Sequence, residues 1–221
     1  MSKIFCIIPA YNESETITEV VKNVKGFVDE VVVVDDCSTD GTAILAEKAG
    51  AVVLRHIINR GQGAALKTGT EYALAGGADI IAHFDADGQF LAEEIKDVVR
   101  PIMSGEAEIV FGSRFLSKKS PMPFFKKNFI MPLARFVNRI FLNVNTSDPQ
   151  SGFRAMSVRA ARKINWRQDR MAHCSEILAE AAASGLRIKE VPVMIAYRGF
   201  GQRLASGFKI LKELLMGALL K

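Results

Sequence analysis

Short apolar runs rich in Val and Ile alternate with amphipathic stretches through the first hundred residues. Ile4 to Pro9 predicts a buried strand, Glu15 to Lys25 a helix opened by Asn12 with Glu15 three residues on, and Glu30 to Asp35 a second strand. A helix from about Thr42 to Ala49 stops at Gly50, and a strand covers Ala51 to Arg55. A further helix, from about Gly63 to Ala75, stops at Gly76 and Gly77, and Ile80 to Phe84 reads as another strand. Strands this apolar need cover on both faces, so the pattern predicts an α/β fold with a mostly parallel sheet flanked by helices. Ligands of such sheets bind beyond the carboxyl ends of the strands. Three polar clusters fall there: Tyr11-Asn12-Glu13, Asp35-Asp36, and Asp85 with Asp87.

After Gly112 the pattern changes. Residues 124–144 form a helical stripe with Phe129, Leu133, Phe136 or Val137, Ile140 and Val144 on one face, and Lys126, Lys127, Arg135 and Arg139 supplying charge. Such a basic amphipathic helix suits a membrane interface, although packing on the sheet is the more ordinary use of a stripe of this kind. A helix from about Ser175 to Ser184 ends at Gly185, and Arg187 to Tyr197 reads as a strand placed at a sheet edge by Pro192. Leu204 to Leu220 is again amphipathic, so the fold is expected to end in C-terminal amphipathic helices.

With 221 residues, 49% of them hydrophobic, the chain reads as a single domain over 1–221. Charge divides it in two: residues 1–111 carry 9 Lys and Arg against 18 Asp and Glu, a net of −9, and residues 112–221 carry 20 against 6, a net of +14. An acidic half holds a polyanion only through a cation, whereas the basic half suits phosphate groups or an anionic membrane surface directly. Nucleic acid is not expected as the partner, because the basic residues are scattered among apolar stripes and only 3 tyrosines and 1 tryptophan are present to stack on bases. Cys6, Cys37 and Cys174 lack the spacing of a zinc site or a disulfide framework, and no run approaches the roughly 20 apolar residues that span a bilayer. A cytoplasmic protein, peripheral on the cytoplasmic face of the membrane, is the expectation.

Asp85-Ala86-Asp87-Gly88-Gln89 places three oxygen-bearing side chains at alternate positions directly after a strand. They can converge on one hard cation, and Mg2+ or Mn2+ fits an oxygen set better than zinc. Alone, an Asp-x-Asp is more often turn chemistry than a metal site. Here it has company. Pro9-Ala10-Tyr11-Asn12-Glu13 ends the first strand, and Asp35-Asp36-Cys37-Ser38-Thr39-Asp40-Gly41-Thr42 ends the second. Asn59-Arg60-Gly61-Gln62-Gly63 is a glycine-bearing loop entering a helix, where backbone can approach a nucleotide closely. No G-x-G-x-x-G follows the first strand, which disfavours a dinucleotide-dependent dehydrogenase. His56, His83, His173 and Trp166 share no ligand spacing and read as structural, and Glu176 reads as a helix cap.

These segments, followed by Gly112-Ser113-Arg114 and Ser151-Gly152-Phe153-Arg154, come in an order that resembles the family 2 inverting glycosyltransferases of GT-A (Rossmann-like) fold. The similarity is strongest to the dolichyl- or polyprenyl-phosphate mannose and glucose synthases, and it spans nearly the whole chain. The resemblance implies that residues 1–111 bind a nucleotide-sugar and a metal, and that residues 112–221 bind the acceptor. Pro9, Tyr11, Glu13, Asp36, Gly63, Asp85 and Ala86 would line the nucleotide, with Asp85, Asp87 and Gln89 on Mg2+ or Mn2+. Arg114 would face the donor diphosphate or the acceptor phosphate. Two departures mark the acceptor side: the family's Arg-x-x-x-Ser helix has no serine after Lys126-Lys127, and its Arg-x-x-Gly-x-Ser-Lys keeps only Arg198 and a glycine, with Arg203 in place of the lysine. Lys126, Lys127, Arg135, Arg198 and Arg203 are the expected acceptor and phosphate ligands. The implied reaction moves a hexose from GDP-mannose or UDP-glucose to a polyprenyl phosphate with inversion. A glycan or soluble hydroxyl acceptor is the alternative. A hydroxyl needs a general base, which makes Asp148 and Glu176 diagnostic, whereas a phosphate monoester is already anionic at pH 7.

Overall fold

The computed structural model describes residues 2–116 and 146–195. Seven strands, β1 (Ile4–Ala10), β2 (Glu30–Asp35), β3 (Val52–Arg55), β4 (Ile80–His83), β5 (Ile109–Ser113), β6 (Arg154–Ser157) and β7 (Ile188–Pro192), form one sheet in the order β3-β2-β1-β4-β6-β5-β7. Helices α1 (Ile17–Val24), α2 (Thr42–Ala49), α3 (Gln62–Ala75), α4 (Ile95–Met103), α5 (Val158–Lys163) and α6 (His173–Ala183) cover it. The expected strand and helix order of the first half is present within a residue or two at each end. The sheet is mixed, because β6 runs antiparallel to both β4 and β5 while the other pairings are parallel. Pro192 ends β7, which is an edge strand as its proline requires. The sequence reading assigned nothing between Gln89 and Phe111, where α4 and most of β5 lie. The expected helices at 124–144 and 204–220, the strand beyond Ile195, and Lys126, Lys127, Arg135, Arg198 and Arg203 lie outside the described residues.

Alternation along β1 divides the core. Cys6 and Ile8 face a cluster with Val20, Val24 and Val98, and Phe5 and Ile7 face one with Leu66, Ile177 and Leu178. Helix α3 lies tight against the sheet because its inner face is small: Gly63, Ala64, Ala65, Gly69 and Ala73 are all buried. At Gly69 a Cβ would sit 2.2 Å from Ile7 Cγ2.

The expected cap on α1 is not there. The helix begins at Ile17 after Thr16, without a side-chain cap. Asn12 instead adopts φ 56°, receives the Thr39 N–H on Oδ1 at 2.9 Å and gives its own N–H to Ser38 Oγ at 2.9 Å. A short amide side chain tolerates that left-handed backbone, and the longer-range bonds to the β2–α2 loop win over the local cap.

Candidate active site

All strands but β6 end on the same edge of the sheet, and the three acidic clusters of the sequence meet along it. Phe84 and Phe90 bracket the Asp85–Gln89 turn and both pack on Phe153, with ring centroids 5.2 and 5.1 Å away. Gly88, at φ 69°, lets the chain reverse between them. The turn is thereby fixed from below by aromatic packing and its carboxylates face upward.

Asp85 Oδ1 accepts from Gln62 Nε2 at 2.9 Å, and Asp87 Oδ1 accepts the Gln89 N–H at 3.0 Å. Burial, and then the negative charge of Asp87, push Asp85 up to about 6, against the pull of Arg154, His173 and Arg114. Burial also raises Asp87, and it raises Glu13, to which Asp87 adds repulsion while the Thr16 hydroxyl opposes it. Carboxyls raised in this way, close enough along one edge of the sheet to repel one another, form an anionic site that a cation would relieve. Ala86 is buried between the two aspartates. Tyr11, directly after β1, is half exposed, and Pro9 lies one residue inside the strand beside Val34. Glu13 closes the loop by receiving Thr16 Oγ1 on its carboxylate and giving its N–H to Thr42 Oγ1.

Three predicted groups are engaged by the chain itself. The Asp36 carboxylate receives the Arg60 N–H at 2.9 Å and the Gly61 N–H at 2.6 Å, and stands 2.7 Å from His56 Nδ1. It anchors the β3–α3 loop. At Gly63 the close approach expected of a nucleotide is made by the 166–169 segment: its N–H donates to Asp169 O, its carbonyl accepts from Trp166 Nε1, and a Cβ would lie 2.2 Å from Gln168 O. Arg114 clamps Asp148 through Nε–Oδ2 at 2.5 Å and Nη2–Oδ1 at 2.6 Å. Asp148 is 1% exposed. Glu190 on β7 holds the strap beneath this pair by accepting the N–H groups of Ser147 and Asp148 and the Ser147 hydroxyl. Glu176 is no cap; it accepts the Arg167 and Gln168 N–H groups and ties down the segment that meets Gly63.

Two further residues belong to the site. Gly152 abuts Asp85, since a Cβ there would meet its carboxylate oxygens at 2.5 and 2.7 Å. Arg154, fully buried, points Nη2 at His173 Nε2, 3.2 Å away. The Ser-Gly-Phe-Arg motif marked both positions, but neither contact is local enough to be read from spacing.

The family pattern described as Glycosyl transferase family 2 matches residues 5–164. A protein of Methanocaldococcus jannaschii is 40% identical, covering 97% of this chain and 91% of its own. The UDP-N-acetylglucosamine–dolichyl-phosphate N-acetylglucosaminyltransferase of Methanococcus voltae is 35% identical, covering 96% and 95%. The polyprenol monophosphomannose synthase of Mycolicibacterium smegmatis is 29% identical, covering 92% and 81%. The crystal structure of glucosyl-3-phosphoglycerate synthase from Mycobacterium tuberculosis with Mn2+, UDP and glucosyl-3-phosphoglycerate superposes with a TM-score of 0.75, covering 99% of this chain and 79% of that one at 22% identity, a likeness of fold. The chain is a GT-A glycosyltransferase and belongs to glycosyl transferase family 2.

Proposed function

We propose that the protein transfers a sugar from a nucleoside diphosphate donor to the phosphate of a polyprenyl phosphate, with inversion at the anomeric carbon. The observation that carries this reading is the clamped Asp148. A hydroxyl acceptor requires a base, and a carboxylate holding a guanidinium at both oxygens is a poor one. A phosphate monoester has its second pKa near 6 and attacks as the anion it already is. Two relatives matched along most of their length carry dolichyl phosphate and polyprenol monophosphomannose in their names. The 35% identical one adds UDP-N-acetylglucosamine to the GDP-mannose and UDP-glucose expected from the sequence.

In this reading the nucleotide lies over Pro9 and Tyr11, beside Glu13 and Ala86, while Asp36 and Gly63 act indirectly by fixing the β3–α3 loop at its edge. Asp85, Asp87 and Gln89 would hold Mg2+ or Mn2+, and their raised, mutually repelling carboxyls fit a divalent cation. Among the described residues no three His, Cys, Asp or Glu side chains close around one point. An ion held there would leave coordination positions for the donor's phosphates and water. Such an ion would supply charge neutralisation for the departing nucleoside diphosphate. Arg114 faces the same charge from the β5 side, oriented by Asp148. Lys126, Lys127, Arg135, Arg198 and Arg203 receive the acceptor phosphate. Among the described residues no helix is long and apolar enough to cross a membrane; the acceptor is met at a bilayer surface, the cytoplasmic one where nucleotide-sugars are found.

The test compares polyprenyl phosphate with the matching polyprenol and with water-soluble sugars, at fixed donor and Mn2+. Transfer to the phosphate alone is expected. Transfer to a hydroxyl, with none to the phosphate, would refute the reading.

A further inference from the structure

We propose that the β3–α3 loop, with Ile57 and Ile58 at its tip, is a membrane-docking element that inserts into the interface of an anionic bilayer. Ile57 is 96% exposed and Ile58 66%. Adjacent β-branched hydrocarbons this bare are not the product of a loose loop. Its backbone is pinned at Asp36, which takes the Arg60 and Gly61 N–H groups, and its Ile57 carbonyl accepts from Cys37 Sγ at 3.5 Å. The loop is built to hold these side chains out.

The neighbouring segment extends the patch. Gly63 N and Ala64 N donate to Asp169 O at 2.8 and 3.2 Å, bringing residues 167–171 beside the loop. Exposed Met171, at 41%, adds hydrocarbon, and exposed Arg60, Arg167 and Arg170, with Lys67 nearby, add positive charge, against the acids Asp169, Glu71 and Glu176. Apolar side chains ringed by arginines match an anionic lipid surface, where hydrocarbon enters the acyl boundary and the guanidiniums meet phosphates. Two isoleucines with cations insert without a spanning helix.

Position supports the same occupant. The loop follows the carboxyl end of β3, on the sheet edge that carries Asp87 after β4, and three strand spacings of about 4.8 Å separate the two strands. An acceptor tethered in a bilayer reaches Asp87 only if that edge faces the membrane. The inference rests on the proposed lipid-phosphate acceptor for its purpose, but its test does not need transfer.

Co-sedimentation of the full chain with vesicles, either purely zwitterionic or one-fifth anionic phospholipid by design, measures it. Binding to the anionic vesicles is expected, weakening with added salt, and weaker by roughly tenfold in Ile57→Ser/Ile58→Ser. Arg60→Gln/Arg170→Gln should remove the preference for anionic lipid. The serine pair should keep the wild-type rate on a short-chain, water-soluble acceptor phosphate. Equal vesicle binding by wild type and the serine pair would overturn the proposal, as would a wild-type dimer that the serine pair dissociates with vesicle binding unchanged, which would assign the patch to a second copy. Reduced vesicle binding without transfer to any acceptor would leave this element standing and sink the proposed reaction instead.

Discussion

Arg114 and Asp148, 34 residues apart in sequence, meet in a two-point ion pair whose carboxylate is out of solvent and whose guanidinium side chain is 16% exposed. Two parallel N–H···O bonds fix the plane of the guanidinium as well as its place. Asp148 is an orienting group in this geometry. Asp148→Ala is expected to lower stability by about 3 kcal/mol, because breaking a buried pair leaves a charge uncompensated. Asp148→Asn, with one acceptor oxygen kept, should lower turnover without shifting the pH–rate profile. Denaturant melts and a pH series of kcat check both; a lost acidic limb in the Asn variant would mark Asp148 as a base.

Gly152→Ala should damage donor binding more than folding. The new methyl would meet the Asp85 carboxylate at 2.5 to 2.7 Å and displace it within the turn. Calorimetric titration with Mn2+ and a nucleoside diphosphate is expected to show affinity reduced about tenfold or more, with a melting temperature within a few degrees of wild type.

The raised Asp85 carboxyl has a definite sign. Its folded value, about 6, lies above the 3.8 of a free aspartate carboxyl, so the folded state holds that proton more tightly than the unfolded chain. The group favours folding most below pH 4, and that contribution is lost as pH rises through about 6. Asp85→Asn should therefore stabilise the metal-free protein by about 3 kcal/mol at pH 8 and hardly at all at pH 4. Metal affinity of the wild type should fall below pH 6, with proton release on binding. Melts at the two pH values and calorimetry in buffers of different ionisation enthalpy read these effects.

Gly69→Ala sets helix propensity against packing. Alanine favours the helix by about 1 kcal/mol, but its Cβ would lie 2.2 Å from Ile7 Cγ2 in the central strand. Overpacking costs about 1–3 kcal/mol, so the net expectation is a less stable protein by urea denaturation.

Most of the Rossmann-like half was legible because its strands are apolar runs and its helices end at glycines. The turn from Asp85 to Gln89 was legible as a polar turn after a strand because the signals for it, the apolar run before it and Gly88 within it, are local. Strand β6 was not: its sequence, Arg-Ala-Met-Ser, carries no alternation, and its antiparallel place between β4 and β5 is set by tertiary pairing. Asn12 was misread as a cap because its partner, Thr39, lies 27 residues away. Gly61 and Gly63 were read as making room, which they do, but the 166–169 segment that fills the room was invisible from the loop. The Arg114–Asp148 pair belongs to the same class of long-range contact.

The central claim is tested most directly by incubating the protein with labelled UDP- and GDP-sugars, polyprenyl phosphate and Mn2+, and counting label in the organic-extractable fraction beside an Asp87→Ala control. The account predicts lipid-phase label from at least one donor, lowered at least a hundredfold by the substitution. Lipid label undiminished in Asp87→Ala, or donor consumed with all label left in water-soluble product, would contradict it.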